Sequence, residues 1–247
     1  MHWLLARAGI DAGIYREACL RRRLAACLRV CRAPSLEVAK DLVQSRPELL
    51  DKAVAALLIG VTSFFRGRDV CTTVEREIPR LLRECGRVRA LSLGCSSGAE
   101  LYSLAMLVAE VGGPQRYVGL GVDCRTDAIE QARQGVYAPS SVESVPPHLL
   151  TRYFTFESGR YVIQPELRIR TDWHTGSLFD ERGKCGQWDV VLCRNVVMYL
   201  TTEAAQLAWQ RASRQVRPGG LLIVGQAERP SDHLGLVPVG SGVYRRL

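Results

Sequence analysis

The sequence has almost no lysine. Lys40, Lys52 and Lys184 are the only ones, so arginine carries the formal net charge of +8. Histidine is also scarce, with four residues, and the nine cysteines form no Cys-x-x-Cys pair. Without paired spacing no metal site is expected, and an odd cysteine count argues against a disulfide framework. Cys193, in Val-Val-Leu-Cys, reads as a small packed hydrophobe of a chain kept under reducing conditions. No apolar run reaches eighteen residues; the longest, Ala53 to Val61, is too short to cross a bilayer, so membrane insertion is not expected. Residues 1–7 lack the basic-then-apolar pattern of a secretory signal, which makes a cytoplasmic location the expectation. There is no Gly-x-x-x-x-Gly-Lys-Ser/Thr loop either, which excludes a P-loop nucleotidase.

What is there is an ordinary globular composition, 47% hydrophobic and 23% charged over 247 residues. The first sixty residues show no convincing strand. Leu20, Leu24, Leu28 and Cys31 recur at helical spacing and predict a helix over Ile14–Arg32, with Arg16, Arg22, Arg23 and Arg29 mostly off that stripe. Ser35 suits the N-cap of a second helix through Gln44, and Pro47 the first turn of a third through Leu58. From Asp69 onward helices alternate with short apolar runs: Val88–Leu93, Tyr117–Val122, Asp189–Cys193 and, after the turn Arg217–Gly220, Leu221–Gly225. Strands apolar on both faces and alternating with helices imply a parallel sheet covered on both sides. The fold class expected is α/β: a doubly wound domain over residues 61–247 preceded by a small all-α domain over residues 1–60. A short β insert is expected at about residues 155–171, with Arg160–Ile163 and Leu167–Arg170 forming a hairpin.

In such a sheet, ligands bind beyond the carboxyl ends of the strands, near the switch in strand order. Three segments fall there. Gly94-Cys-Ser-Ser-Gly98 is a tight strand-to-helix turn whose glycines would let a ligand approach the backbone. Asp123 ends the next strand, where a carboxylate accepts hydrogen bonds from ribose hydroxyls or merely caps a helix. Cys193-Arg-Asn-Val-Val-Met-Tyr199 follows a later strand. Ser96 replaces the middle glycine of a dinucleotide fingerprint, and Glu100 opens the helix; that charge repels pyrophosphate but suits the cationic end of S-adenosylmethionine.

At this point the motifs become specific. Thr62-Ser-Phe-Phe-Arg66, Gly94 to Ser103, Asp123, Ala132-Arg-Gln-Gly-Val-Tyr137, Arg152-Tyr-Phe154, Cys193 to Tyr199 and Pro218-Gly-Gly-Leu-Leu222 stand in an order that resembles the CheR-type chemotaxis receptor glutamate O-methyltransferases. Ala8-Gly-Ile10 and Leu20-Arg-Arg-Arg-Leu24 extend the likeness to the helical region, so it covers nearly the whole chain. The resemblance implies a Rossmann-like class I methyltransferase domain using S-adenosylmethionine, with S-adenosylhomocysteine as product. It places Thr62, Arg66, Gly94, Gly98, Glu100, Asp123, Ser177, Leu178, Arg194 and Asn195 at the cofactor, with Glu100 on its amino group, Asp123 on the ribose and Ser177-Leu178 near the adenine. Arg66, Arg194 and Tyr199 would face the reaction centre. Phe64, Phe65, Tyr102 and Ser103 are expected to pack instead.

The sequence departs from the family at Gly60, where Asn is usual, at Ala99 and Leu101, at Arg125, where an acid is common, at Ser177 and in Gly225-Gln-Ala-Glu228. Arg125 would bring positive charge near a cationic cofactor. The expected substrate is an acidic helical region of a chemoreceptor-like protein, steered by Arg16, Arg22, Arg23 and Arg29, with the enzyme a monomer. A non-catalytic cofactor-binding scaffold of the same family stays open as an alternative. A nucleic-acid methyltransferase fits the charge, but the chain lacks an Asp/Asn-Pro-Pro-aromatic motif and any basic-plus-aromatic stacking platform, so no nucleic-acid partner is expected.

Overall fold

Four helices form the N-terminal region of the computed structural model, which describes residues 1–58, 60, 62–180 and 187–247. Val61, the expected first residue of the second domain, lies outside the described residues, as do Lys184 and Cys185. The helices are α1 (His2–Arg7), α2 (Glu17–Cys31), α3 (Leu36–Ser45) and α4 (Leu49–Leu57). The second starts three residues later than the periodicity suggests. Asp11 accepts a hydrogen bond from the Gly13 backbone N–H (2.8 Å) and folds residues 12–14 into a separate 3₁₀ turn. Helix α2 stops at Arg32, whose φ of 53° is left-handed. Its inward face is also rotated from the expected stripe: Cys19, Leu20, Cys27 and Cys31 are buried, while Leu24 and Leu28 are half-buried. The start of α3 is as expected, with Ser35 Oγ accepting from Val38 N. Together these helices enclose their own core around Leu4, Leu5, Val54 and Leu57.

Beyond them run α5 (Arg68–Cys85), β1 (Val88–Leu93), α6 (Ala99–Gly112), β2 (Tyr117–Asp123), α7 (Thr126–Gln134), β3 (Val136–Tyr137), α8 (Pro147–Tyr153), β4 (Phe154–Glu157), β5 (Arg160–Ile163), α9 (Pro165–Arg168), β6 (Thr171–Thr175), β7 (Trp188–Cys193), α10 (Thr202–Gln215), β8 (Val216–Val224), β9 (Leu236–Gly240) and β10 (Val243–Arg246). The main sheet has the order β6-β2-β1-β7-β8-β10-β9. Its first five strands are parallel, and β10 and β9 close it antiparallel. The chain winds outward from β1 through β2 to β6 and then returns to β7 on the other flank of β1. That reversal is the switch point.

Alternation along β1 divides the apolar core between two faces. Val88 and Ala90 join α5, α6 and the aromatic residues on one side; Leu91 and Leu93 join α10 on the other. Phe64 is fully buried on the first side, with its ring edge-on to Tyr137 (4.8 Å) and Phe154 (5.4 Å). Each such pair contributes about 0.5–1.5 kcal/mol beyond the area buried. Tyr102 is likewise buried and donates to the Ala132 carbonyl, and Ser103 Oγ accepts from Phe65 N. These four residues pack, as expected.

Three expectations need correction. Leu167–Arg170 is not a strand, because Pro165 starts a helical turn there. The partner of β5 is β4, joined through Ser158 (φ 49°) and Gly159 (φ 77°), and β3 completes a three-stranded sheet. Thr171–Thr175, part of which was assigned to the insert, is the edge strand of the main sheet. Arg217–Gly220 is not a separate turn: it lies inside β8 as an irregularity opposite Trp188–Val190, with Gly219 at φ 75°.

Candidate functional site

Strands β1, β2 and β7 all end at one side of the switch point, and the residues that follow them form one cavity of about 990 Å³. After β1 the chain turns through Gly94 (φ 71°), Ser96 (φ 51°) and Gly98 (φ 83°) into α6, which puts Glu100 in the first helical turn. The two glycines are needed by the protein's own packing rather than by a ligand. A Cβ at Gly94 would lie 2.4 Å from Val196, and one at Gly98 would lie 2.4 Å from Trp173. Gly94 still lines the cavity; Gly98 does not, because the Trp173 ring fills the space its missing side chain leaves.

Glu100 accepts from Arg194 Nη1 at 3.0 Å, and Arg194 Nη2 donates to the Arg66 carbonyl at 2.7 Å. Both side chains are mostly enclosed, 11% exposed for Glu100 and 6% for Arg194. Burial pushes the Glu100 carboxyl above its ordinary value, against the opposing pull of Arg194 and Arg66. Among the described residues, Thr62 Oγ1 and Arg194 Nε, on two residues that line the cavity, are buried without a hydrogen-bond partner. Leaving such a group buried and unpaired costs about 1–3 kcal/mol.

At the end of β2, Asp123 Oδ2 accepts from Ser96 N (2.8 Å), and Oδ1 accepts from Arg125 N (3.0 Å) and Arg125 Nε (3.3 Å). The concern that Arg125 brings a bare positive charge is answered by this geometry, because Asp123 balances it. Arg125 Nη2 also donates to Ser96 Oγ, whose hydroxyl donates to the Gly60 carbonyl.

After β7, Asn195 takes a left-handed φ of 56°, which turns the chain back toward Tyr199. Glu228 fixes that turn. Its carboxylate, 4% exposed, accepts from the backbone N–H of Asn195, Met198 and Gly225. Gly225 stands where a Cβ would meet Glu228 Oε2 at 2.6 Å. Sequence reasoning quoted Glu228 only as the end of a motif; three backbone donors converging on one carboxylate are invisible without the fold.

The helical region supplies the remaining wall, which the sequence had marked only as a docking surface. Residues 14–16 pair with 199–201: Arg16 N donates to the Tyr199 carbonyl, Thr201 N to the Ile14 carbonyl and Arg16 Nε to the Leu200 carbonyl. Ile10, Ile14, Tyr15 and Leu20 line the cavity beside Ser177 and Leu178. Thr62, Arg66, Glu100, Asp123, Arg194, Asn195 and Tyr199 are all brought to the same cavity. Among the described residues, no group of three or more His, Cys, Asp or Glu is placed to hold a metal ion, and no helix is long and apolar enough to cross a membrane.

The family model for the CheR methyltransferase, SAM-binding domain matches residues 60–238, well over half of the chain. The chain belongs to the CheR methyltransferase family. Among similar CheR-type proteins is a chemotaxis protein methyltransferase of Listeria monocytogenes, 29% identical over 96% of this chain and 91% of its own length. Chemotaxis protein methyltransferase 1 of Pseudomonas aeruginosa is 29% identical over 85% of this chain and 82% of its own. The probable biofilm formation methyltransferase WspC of the same species is 27% identical over 98% of this chain and 60% of its own. As a CheR-family member the protein is an S-adenosylmethionine-dependent methyltransferase, and the cavity fits that cofactor. Arg194 Nε lacks an acceptor of the kind a carboxylate provides, Glu100 is an acceptor for an ammonium, and Asp123 lies on the same wall for a diol.

Proposed function

We propose that this enzyme methylates glutamate carboxylates on an acidic helical region of a chemoreceptor-like protein, acting as a cytoplasmic monomer. We propose also that it is organised as a helical domain, residues 1–60, and a methyltransferase domain, residues 61–247. The observation that carries the reading is the Glu100 carboxylate paired with Arg194 in the cavity that Thr62 and Asp123 also line. That set suits both charges of an amino-acid end at once. When bound, S-adenosylmethionine supplies an electrophilic methyl on a sulfonium.

The chain's own residues have a limited task. A glutamate carboxylate, with an ordinary pKa of about 4.3, is already ionised at neutral pH, so no general base is required. Glu100 and Arg194 hold the amino-acid end of the cofactor, Asp123 its ribose, and Ser177 and Leu178 border its base. Arg66 and Tyr199, on the cavity wall near the turn after β7, orient the incoming carboxylate. Orientation and partial removal of water can supply roughly 7–11 kcal/mol toward the barrier. Arg22 and Arg29, both exposed, remain for steering an acidic partner. Arg16 and Arg23 are tied down through their Nε atoms, to the Leu200 and Ala56 carbonyls.

The test is base-labile methyl transfer from labelled cofactor to membranes carrying the cognate receptor. Arg66→Ala should abolish transfer while leaving S-adenosylhomocysteine binding within about threefold. Full transfer by this variant would refute its role, and binding without transfer by the unaltered protein would make the chain a scaffold.

A further inference from the structure

A carboxylate offers about two acceptor positions on each oxygen. On Asp123, the backbone N–H groups of Ser96 and Arg125 take one position on Oδ2 and one on Oδ1. Both come from turns anchored in the sheet, so they are fixed. One position per oxygen is left, which is the arrangement that two adjacent ribose hydroxyls require. The second position on Oδ1 already holds Arg125 Nε. The guanidinium is enclosed, with its side chain 10% exposed, and is fastened on its other side to Ser96 Oγ.

This placement exists only because position 60 is glycine. A Cβ there would lie 2.1 Å from Arg125 Cζ and Nη2 and 2.3 Å from Nη1. Gly60 and Arg125 therefore act as one unit: any side chain at 60 pushes the guanidinium off Asp123.

We propose that Arg125 is an internal competitor for the ribose-binding position, tuning the affinity for the nucleoside part of the cofactor downward by occupying one of two acceptor positions on Asp123. The proposal rests on the assignment of Asp123 to the ribose. Arg125 contacts Asp123 rather than reacting atoms, so it is a positioning residue. Its removal frees an acceptor for the second hydroxyl, and Arg125→Met does so while keeping most of the volume filled. Gly60→Ala displaces the same guanidinium from the other side. Gly60 has no left-handed φ, so alanine adds no such backbone strain, and the atoms nearest its Cβ are those of the Arg125 guanidinium.

The experiment is calorimetric titration of S-adenosylhomocysteine and of its 2′-deoxy and 3′-deoxy analogues into the full chain and its variants, with thermal unfolding as a check on folding. Arg125→Met and Gly60→Ala should each bind the parent compound about threefold to tenfold more tightly, the value of one regained hydrogen bond. For one of the two deoxy analogues, the loss of affinity should be larger in Arg125→Met than in the unaltered protein. That difference separates a freed acceptor position from the mere removal of a positive charge. Equal or weaker binding by both variants would overturn the proposal, as would an unchanged penalty for both analogues. Asp123→Ala distinguishes the two levels. If it weakens binding while Arg125→Met does not tighten it, only the competitor idea fails; if it leaves binding unchanged, the ribose assignment falls and the proposal with it.

Discussion

Two buried carboxylates lie at opposite ends of the same sheet, and their surroundings differ. Asp189, at the start of β7, is fully enclosed. It accepts from Arg89 N and Nε through Oδ2 and from Arg217 Nε through Oδ1. Arg217 reaches on to Glu84, Glu84 to Arg80, Arg80 to Glu77, and Glu77 to Arg245. Burial alone would raise the Asp189 carboxyl; the hydrogen bonds from Arg89 and Arg217 overcome it and hold the group below its ordinary range. Glu100, beyond the other end of the sheet, receives one arginine donor, stays above its ordinary range and stands beside atoms with no partner. The Asp189 carboxylate is satisfied by the fold itself. Glu100 lines the cavity instead.

The largest effect should come from breaking the satisfied end. Asp189→Ala leaves Arg89 and Arg217 without their buried acceptor, and removing one partner of such a group costs about 3–5 kcal/mol. Chemical denaturation should show that loss, while the affinity for S-adenosylhomocysteine in the folded fraction stays the same. Glu100→Gln keeps one acceptor for Arg194 and should cost less stability than Asp189→Ala, but roughly 1.5–3 kcal/mol in binding, since the negative charge facing a cationic group is removed. If both variants lost stability alike, the distinction between the two ends would disappear.

The pH dependence sharpens the same contrast. Because the Glu100 carboxyl is raised in the folded chain, it takes up a proton above the usual carboxylate range, and cofactor affinity should fall as the pH drops through that window. Its folded form binds more protons than its unfolded form there, so its own contribution to stability declines as the pH rises through the window. Asp189 has the opposite sign: the stability it contributes is present above the ordinary aspartate range and is lost as acid protonates it. Binding should weaken in the unaltered protein as the pH falls toward the carboxylate range and stay flatter in Glu100→Gln. The smallest expected effect is at the surface. Replacing Arg22 and Arg29 by Gln should lower the rate of methyl transfer severalfold at low salt and make little difference at high salt.

Much of this was legible in the sequence because it is local. Strand β1 was read with its full bounds from one apolar run, and the N-cap at Ser35 from one residue type. The ordered motifs brought nearly every expected site residue to one cavity, since they mark strand ends and the sheet does the rest. What stayed hidden depends on partners distant in the chain. Thr171-Asp-Trp-His-Thr175 carries little strand signal alone; it becomes β6 because Gly119 and Gly121 on β2 leave room for its side chains, Trp173 above all. Of the two glycines expected beside a ligand, Gly94 lines the cavity, while the space at Gly98 is filled by Trp173 from β6. The helical wall at residues 14–16, the Glu228 anchor and the Gly60–Arg125 unit follow from contacts between segments that no spacing rule connects.

The account stands on Glu100 acting as the acceptor for the cationic amino group at the cavity end of the sheet. The direct measurement is a cycle of four calorimetric titrations: S-adenosylhomocysteine and its analogue lacking the amino group, each with the unaltered protein and with Glu100→Gln. The account predicts that losing the amino group costs the unaltered protein at least tenfold more affinity than it costs the variant, as expected for a hydrogen-bonded charge pair. An equal loss in both proteins would contradict it.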